Sequence, residues 1–287
     1  MVEIVVAAVG ARTARSTESV IGVLRRGVED LVQRSVGIEL TWSTSGVTRG
    51  DDLGSAERAV TTDGLDWRWL SRRLGADRPE SVTLSAQFTV MRDAHLADPD
   101  PERYDPRMYV AEVSARFPAE VPWATAPVGG LRVRAAMSRW ALYGGGEQLD
   151  WLQGQLRGWS VSAADALDAD TGYAGVEDTG LSDDRSRLEV DRELIPSYRD
   201  FSRWLWGAGW GTLLGPAHLA AVGGPAGLRD LGATAQDLSG GRVWFELGPD
   251  PAAAPPDRLE ALVRLLEPAI RGSDDRPAGA VERRPVE

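Results

Sequence analysis

The segment Ser81–Met91, SVTLSAQFTVM, constrains the fold of this chain more than any other stretch. Its apolar side chains alternate strictly with polar ones, the apolar set being Val82, Leu84, Ala86, Phe88 and Val90. Strict alternation is typical of a β-strand buried on one face only, and such strands occur mainly in antiparallel sheets. The segment Met108–Phe117 has the pattern of the returning strand of a long hairpin. We therefore predict an α+β fold in which an antiparallel β-sheet is packed with helices.

Further strands and helices are predicted in irregular order along the chain. The strands are Val2–Val9, Ile38–Ser43, Leu131–Ala135, Thr171–Glu177 and a pair within Leu228–Gly248 that turns at Gly240-Gly241. The helices begin after a cap at Ser16 or Thr17, run from Leu149 to Leu167, and run from Pro255 to Ile270. The segment Asp66–Leu70 fits a helix or a strand equally well.

The predicted elements indicate a single domain over residues 1–270. A strand followed by a helix begins near Val2, and a helix followed by a strand begins near residue 147, which suggests two similar halves, 1–143 and 144–270. Residues 271–287 are polar, and we predict that they form a flexible tail.

The composition excludes several classes of protein. The chain has no cysteine and no lysine, so all 32 basic residues are arginine. Disulfides, thiol nucleophiles and thiolate metal sites are therefore excluded, as are Walker phosphate loops and Schiff-base enzymes. No apolar run approaches the roughly 20 residues of a membrane-spanning helix, and no basic residues precede the apolar start as they would in a signal peptide. We expect a cytoplasmic protein without a membrane partner.

The charge of the chain indicates which partners it would attract. The net charge is −11, which disfavours nucleic acid, because affinity for nucleic acid comes from neutralising phosphates. The segment Asp165–Asp200 holds eleven acidic residues and four arginines, which makes it the most acidic part of the chain. A run of this kind is either a solvated loop or a surface that attracts a basic partner.

No sequence pattern assigns a catalytic residue, a cofactor or a metal ion. The segment Gly209–Gly215, GWGTLLG, matches a dinucleotide-binding pattern only loosely, because Trp210 lies between its first glycines. The two histidines, His95 and His218, leave open a metal-assisted hydrolase in which carboxylates act with a histidine. We predict a protein without catalytic residues, cofactor or metal, and keep the hydrolase as the alternative.

The tryptophans are concentrated in the segment Phe201–Pro216, FSRWLWGAGWGTLLGP, where three of the eleven lie among glycines. Large aromatic side chains dominate both cores and binding hot spots. We predict that Trp204, Trp206 and Trp244 are structural and that the segment is a strand and a tight turn in the core. Trp67 and Trp69 lie in a polar stretch and are candidates for an exposed surface.

The C-terminal half has a characteristic order of motifs. A long amphipathic helix is followed by Gly172-Tyr-Ala-Gly175, Gly209-Trp-Gly-Thr-Leu-Leu214, Gly223-Gly224, Leu238-Ser-Gly-Gly241 and Gly248-Pro-Asp250. This order resembles bacterial immunity proteins of the type VI secretion and polymorphic-toxin systems. The nearest families are immunity protein 52 and the type VI immunity family for VRR-NUC effectors. The resemblance covers roughly residues 145–270 and implies a cytoplasmic α+β protein that binds and blocks a cognate toxin, often a nuclease.

Charge and resemblance together predict a non-enzymatic inhibitor. A nuclease toxin presents a basic, phosphate-binding cleft, toward which an acidic protein is steered. We expect an immunity protein that neutralises its toxin by stoichiometric binding; an adaptor in a secretion locus is a third possibility. The candidate contact residues are Asp178, Asp183, Asp184, Glu189, Asp191, Glu193, Trp67 and Trp69.

Overall fold

A computed structural model describes residues 3–11, 16–36, 39–48, 58–76, 79–89, 109–117, 130–142, 150–177, 186–191, 200–231, 233–251 and 254–270. The strands are β1 (Ile4–Ala11), β2 (Leu40–Thr48), β3 (Arg58–Asp63), β4 (Pro79–Phe88), β5 (Tyr109–Arg116), β6 (Leu131–Ser138), β7 (Thr171–Glu177), β8 (Gly211–Leu214), β9 (Thr234–Asp237) and β10 (Val243–Glu246).

The strands form one ten-stranded sheet in the order β3-β2-β4-β5-β6-β1-β7-β8-β10-β9. Every neighbouring pair is antiparallel, so the prediction of an α+β fold with an antiparallel sheet is confirmed. Strand β1 lies in the middle, where Ala7 is opposite Ala135 of β6 and Ala174 of β7. The sheet therefore continues without interruption from the elements before residue 143 to those after it.

The helices alternate irregularly with the strands. They are α1 (Thr17–Arg26), α2 (Gln33–Val36), α3 (Trp67–Ala76), α4 (Asp150–Leu167), α5 (Arg187–Asp191), α6 (Pro216–Ala221), α7 (Ala226–Asp230) and α8 (Pro256–Ile270). A π-helical segment, Gly27–Val32, joins α1 to α2. The side chain of Ser16 caps α1 by accepting a hydrogen bond from the Ser19 amide at 3.2 Å, as predicted.

Helices α1 to α4 cover one face of the sheet, called here the α1–α4 face. This face holds the larger core, in which the odd-numbered residues of β1 pack against aliphatic side chains such as Leu24, Leu70 and Leu156. The predicted alternation of β4 is observed, because Val82, Leu84 and Ala86 point into this core while the residues between them are half-exposed.

The other side of the sheet, called here the α5–α8 face, has a core in two parts. Near β8 and β10, aliphatic residues of α6 to α8 pack against Leu214, Val243 and Phe245. Near β1 and β7, the cover is aromatic and consists of Tyr173, Phe201 and Trp206 packed on Val6 and Ala8. Strand β1 is therefore buried on both faces, which explains its continuous apolar sequence, IVVAAVGA.

Two sequence expectations lie partly or wholly outside the described residues. The proposed tail, 271–287, is one, and the Gly144–Gly146 entry to helix α4 is the other. Among the residues that the structure does describe, no helix has both the length and the apolar character that crossing a membrane requires.

Candidate functional site

The tryptophan–glycine segment Phe201–Pro216 belongs to the core. Trp206 and Trp210 are buried, whereas Trp204 is half-buried beside Arg203. The segment was predicted to be a strand and a tight turn. This prediction is wrong for residues 201–210, which form turns and bends, because strand β8 begins only at Gly211.

The glycines of this segment make room for neighbouring rings and backbone. A Cβ atom at Gly207 would lie 2.5 Å from the ring of Tyr173, and one at Gly209 would lie 2.5 Å from the carbonyl oxygen of Ala174. A Cβ at Gly211 would overlap the indole of Trp244. The alternation of tryptophan and glycine therefore follows from close packing against β7 and β10.

Charged side chains gather beneath this segment on the α5–α8 face of the central strands. Strand β6 contributes Arg132 and Arg134, strand β7 contributes Glu177, and helix α5 contributes Glu189. All four are at most 8% exposed, and all four act electrostatically on the buried hydroxyl of Tyr173. We treat these four side chains together with Tyr173 as one site, called the central charged cluster.

Glu189 is fixed by helix capping and by Trp206. The Ser186 amide donates to the Glu189 carboxylate at 3.0 Å, and the Glu189 amide donates to the Ser186 hydroxyl at 3.1 Å. This reciprocal pair is a capping box at the start of α5. The indole nitrogen of Trp206 donates to the same carboxylate at 3.0 Å, and the Ser186 hydroxyl donates to the Trp206 carbonyl at 2.6 Å.

The placement of Glu189 corrects one sequence prediction. Its side chain is 0% exposed, so it is not a residue that a partner could contact in the folded protein. Sequence reasoning missed its structural role although the signal was present, since Ser186-Arg-Leu-Glu189 has the serine-to-glutamate spacing of a capping box. The neighbouring Glu177 also has a structural contact, accepting from the Arg187 amide at 2.9 Å.

Tyr173 is the titratable group at the centre of the cluster. Its complete burial raises the pKa of the hydroxyl well above its usual value, and the negative charge of Glu177 raises the pKa further while Arg134 opposes it. Within the described part of the chain, the hydroxyl has no hydrogen-bond partner. The ring contacts Trp206 edge-on, with 5.8 Å between centroids, and the guanidinium of Arg132 lies 5.8 Å from the Trp206 ring.

A second charged site lies on the α1–α4 face, where β10 meets α4. The carboxylate of Glu246, which is 2% exposed, accepts hydrogen bonds from both Nε and Nη2 of Arg157, from Gln153 at 2.9 Å and from the indole of Trp244 at 2.9 Å. Burial alone would raise the pKa of Glu246, but these donors outweigh it, and the pKa lies below its usual range. We call this the Glu246 site.

The acidic segment is only partly described. Asp178, Asp183, Asp184 and Glu193 lie outside the described residues, and for Asp191 only the helical backbone is described. At the ends of the segment, Asp165 pairs with Arg242 at 2.7 Å, and Asp200 accepts from the amide and hydroxyl of Ser202. These two acidic residues therefore have local structural partners.

Trp67 and Trp69 lie on α3, on the face of the sheet opposite to Glu189. Both are half-buried against the larger core, and Trp69 also passes over Gly46 of β2. The guanidinium of Arg25 lies 5.1 Å from the Trp67 ring, and that of Arg73 lies 5.5 Å from the Trp69 ring. The structure therefore does not bring these tryptophans together with Glu189 or with helix α5.

Of the two histidines, only His218 lies within the described residues. His95 lies outside the described residues. His218 is buried, and its Nδ1 accepts from the Gly215 amide at 3.1 Å at the beginning of α6. In the described parts of the chain, no three histidine, aspartate or glutamate side chains are grouped as metal ligands would be.

Comparison with known proteins gives a similarity of fold. No family model matches the chain, and no curated protein matches it. Among solved structures, the chain is similar to one described as "Pseudomonas aeruginosa T6SS protein PA0821". The match has a TM-score of 0.56 and 13% sequence identity, and it covers 94% of this chain and 73% of the other.

Proposed function

We propose that this chain is an immunity protein of a type VI secretion or polymorphic-toxin system and that it neutralises a cognate toxin by binding it. The observation that carries the proposal is the similarity of fold over 94% of the chain to a protein described as a T6SS protein. The sequence resemblance of residues 145–270 to immunity families supports the same conclusion independently.

The net charge of −11 supports a toxin with a basic surface, such as a nuclease. Opposite charges accelerate the encounter of two proteins and keep like-charged partners apart. The contact surface that we propose is the acidic segment, with Asp178, Asp183, Asp184, Asp191 and Glu193 as contact residues. Glu189 no longer belongs to this set, because its carboxylate is used inside the protein.

Inhibition by binding requires no catalytic group, and two buried carboxylates of the described residues have structural roles that fit this. Glu189 caps a helix and bonds Trp206, and Glu246 ties β10 to α4. His218, which the hydrolase alternative would use as a base or ligand, bonds the backbone at a buried helix start. We therefore propose a protein that is not an enzyme.

The test is a rescue experiment with the toxin candidate encoded beside this chain. The toxin is expressed in a susceptible host with and without the protein, and a 1:1 complex is sought by gel filtration of the purified pair. Rescue with a stable complex is the expected result. Rescue without a complex would favour an enzyme, whereas a complex without rescue would favour an adaptor; either outcome contradicts the proposal.

The proposed surface is tested by reversing Asp183, Asp184 and Glu193 to arginine. Association should slow by about tenfold or more at low salt and the difference should shrink as salt screens the charges. An association rate equal to that of the unchanged protein would contradict the placement of the contact.

A matched control reverses the same number of charges elsewhere. Asp230, Asp237 and Asp257 are exposed and lie on α7, β9 and α8. Their reversal to arginine changes the net charge by the same amount. If the control slowed association as strongly, the effect would come from total charge and not from the acidic segment.

A further inference from the structure

Helix α3 carries an unusual charge pattern for a chain with an excess of acidic residues. Its sequence, WRWLSRRLGA, contains three arginines and no acid. At two other helical positions an arginine follows an acid by one turn and pairs with it: Arg34 pairs with Asp30 at 3.1 Å, and Arg264 pairs with Glu260 at 2.7 Å. In α3 the residue one turn before Arg72 is another arginine, Arg68.

Helix physics makes this arrangement unfavourable for the isolated protein. Like charges four residues apart on a helix repel each other. Arg68 also lies in the first turn, where the helix dipole favours negative charge. The adjacent Asp66 is engaged as the cap, because its Oδ1 accepts from the amides of Arg68 and Trp69 at 3.0 and 2.8 Å. Arg68 and Arg72 are both exposed, and within the described residues neither side chain forms an ion pair.

On each side of the exposed pair Arg68 and Arg72, an arginine side chain lies over a tryptophan ring. On the side facing α1, the guanidinium of Arg25 lies over Trp67 and does not pair with Glu29, which is one turn further on. On the other side, Arg73 lies over Trp69. Half-buried tryptophan beside arginine is the composition of binding hot spots. We define the arginine–tryptophan surface as Arg25, Trp67, Arg68, Trp69, Arg72 and Arg73.

We propose that the arginine–tryptophan surface binds an acidic segment of the partner protein. Arginine presents paired N–H donors that match a carboxylate, and a bound carboxylate would remove the repulsion between Arg68 and Arg72. Nucleic acid is the less favoured anion, because a chain of net charge −11 repels a continuous line of phosphates. This inference rests on the proposed function, since the partner is the toxin.

The surface lies on the opposite face of the sheet from helix α5, the part of the proposed contact segment that the structure describes. Helix α3 packs on the α1–α4 face, whereas α5, in the middle of the acidic segment, packs on the α5–α8 face. A toxin that uses both would contact them with different parts of its own surface, one acidic and one basic. Changes at one surface should therefore leave the contribution of the other intact.

The decisive variant is Arg68→Glu, because it moves stability and binding in opposite directions. The introduced carboxylate would lie in the first turn and one turn before Arg72, so the melting temperature should stay the same or rise by about 1–2 °C. Affinity for the purified toxin should fall by about tenfold or more, and further in Arg68→Glu with Arg72→Glu. Both quantities are measured by thermal unfolding and by titration calorimetry or surface binding.

The matched control is Arg258→Glu. Arg258 is exposed, lies in the first turn of α8 and, among the described residues, has no ion-pair partner. It receives the same charge change, also in the first turn of a helix, so the affinity of this variant for the toxin should be unchanged. Equal losses in Arg68→Glu and Arg258→Glu would overturn the surface assignment.

The outcomes separate this inference from the proposed function. If the unchanged protein binds and blocks the toxin but Arg68→Glu binds equally well, the surface assignment fails and the proposed function stands. If the unchanged protein does not bind the toxin, both fail. A labelled DNA duplex of about 20 base pairs is titrated in parallel; binding that disappears in Arg68→Glu would assign the surface to nucleic acid instead.

Discussion

The central charged cluster and the Glu246 site are both buried at the same sheet, but their bonding differs. At the Glu246 site, one carboxylate receives hydrogen bonds from Arg157, Gln153 and Trp244. In the central charged cluster, the Tyr173 hydroxyl has no hydrogen-bond partner among the described residues, although four charged side chains act on it electrostatically.

This difference separates two uses of buried polar groups. A carboxylate whose donors come from α4 and β10 fixes the helix on the sheet, and removing a donor leaves a charge without compensation. A buried hydroxyl without a partner contributes desolvation cost and no bond. We therefore expect the Glu246 site to be sensitive to loss of its polar partners, and the central cluster to depend on its aromatic packing.

The largest effect is expected from Trp206→Ala, which changes a residue that contacts the central charged cluster at Glu189 and Tyr173. Trp206 stacks on Phe201 with centroids 5.8 Å apart, contacts Tyr173 edge-on and donates to Glu189. Removing the indole should lower the free energy of unfolding by about 3–5 kcal/mol, as for other buried aromatic truncations. Urea unfolding followed by circular dichroism measures the loss.

The control for this variant is Trp206→Phe, which keeps an aromatic ring but removes the N–H donor. Its cost should be smaller, about 1–3 kcal/mol, because it comes chiefly from the Glu189 bond. If both variants cost the same, hydrogen bonding and not aromatic packing would dominate the central cluster, and the contrast between the two sites would disappear.

A smaller effect is expected from Arg157→Met at the Glu246 site. The change keeps an apolar stem and leaves the Glu246 carboxylate with neutral donors only. The side chain of Arg157 is 39% exposed, so water replaces part of the lost interaction, and we expect a loss of about 1–3 kcal/mol at pH 7. The control is Arg264→Met. Arg264 and its partner Glu260 are both exposed, so the loss of stability should stay below about 0.5 kcal/mol.

The pH dependence of the stability of Arg157→Met tests whether Arg157 stabilises the charged form of Glu246. In the folded protein the pKa of Glu246 lies below its ordinary value of 4.5, so its stabilising contribution is present above that pH and is lost as pH falls through the lowered pKa. The stability difference between the unchanged protein and Arg157→Met should therefore shrink in acid. A difference that stayed constant to pH 3 would contradict the assigned pairing.

Local sequence patterns predicted much of the sheet but not the position of the central charged cluster. The alternation in Ser81–Met91 identified β4 because burial on one face imposes a period of two. The glycines at 240 and 241 identified the turn between β9 and β10, where both have positive φ. These predictions succeeded because each depends on residues close together in the chain.

The incorrect and incomplete predictions concern contacts between distant residues. The turns of residues 201–210 depend on packing of Gly207 against Tyr173, which the local sequence does not show. The burial of Glu189 depends on Trp206, and the separation of Trp67 from α5 depends on the packing of their helices on opposite faces of the sheet. Helix α3 could have been predicted from the sequence, since Asp66 is a favourable N-cap residue.

The smallest effect is expected from Tyr173→Phe, and it tests the central cluster most directly. The substitution removes a buried hydroxyl that has no hydrogen-bond partner among the described residues, and keeps the ring that packs on Trp206. The free energy of unfolding at pH 7 should be unchanged or higher by up to about 1 kcal/mol. A loss of more than about 1 kcal/mol would show that the hydroxyl is bonded, as the Glu246 carboxylate is.

At alkaline pH, Tyr173→Phe should become more stable relative to the unchanged protein. The folded pKa of Tyr173 is raised above its usual value of 10, so the unfolded chain loses the proton first and stability falls as pH rises past about 10. Tyr173→Phe lacks this loss, so its relative stability should increase from pH 9 to pH 11. Because the chain contains no lysine, no ammonium group of a side chain titrates in this window, and the change can be assigned to tyrosine by its absorbance.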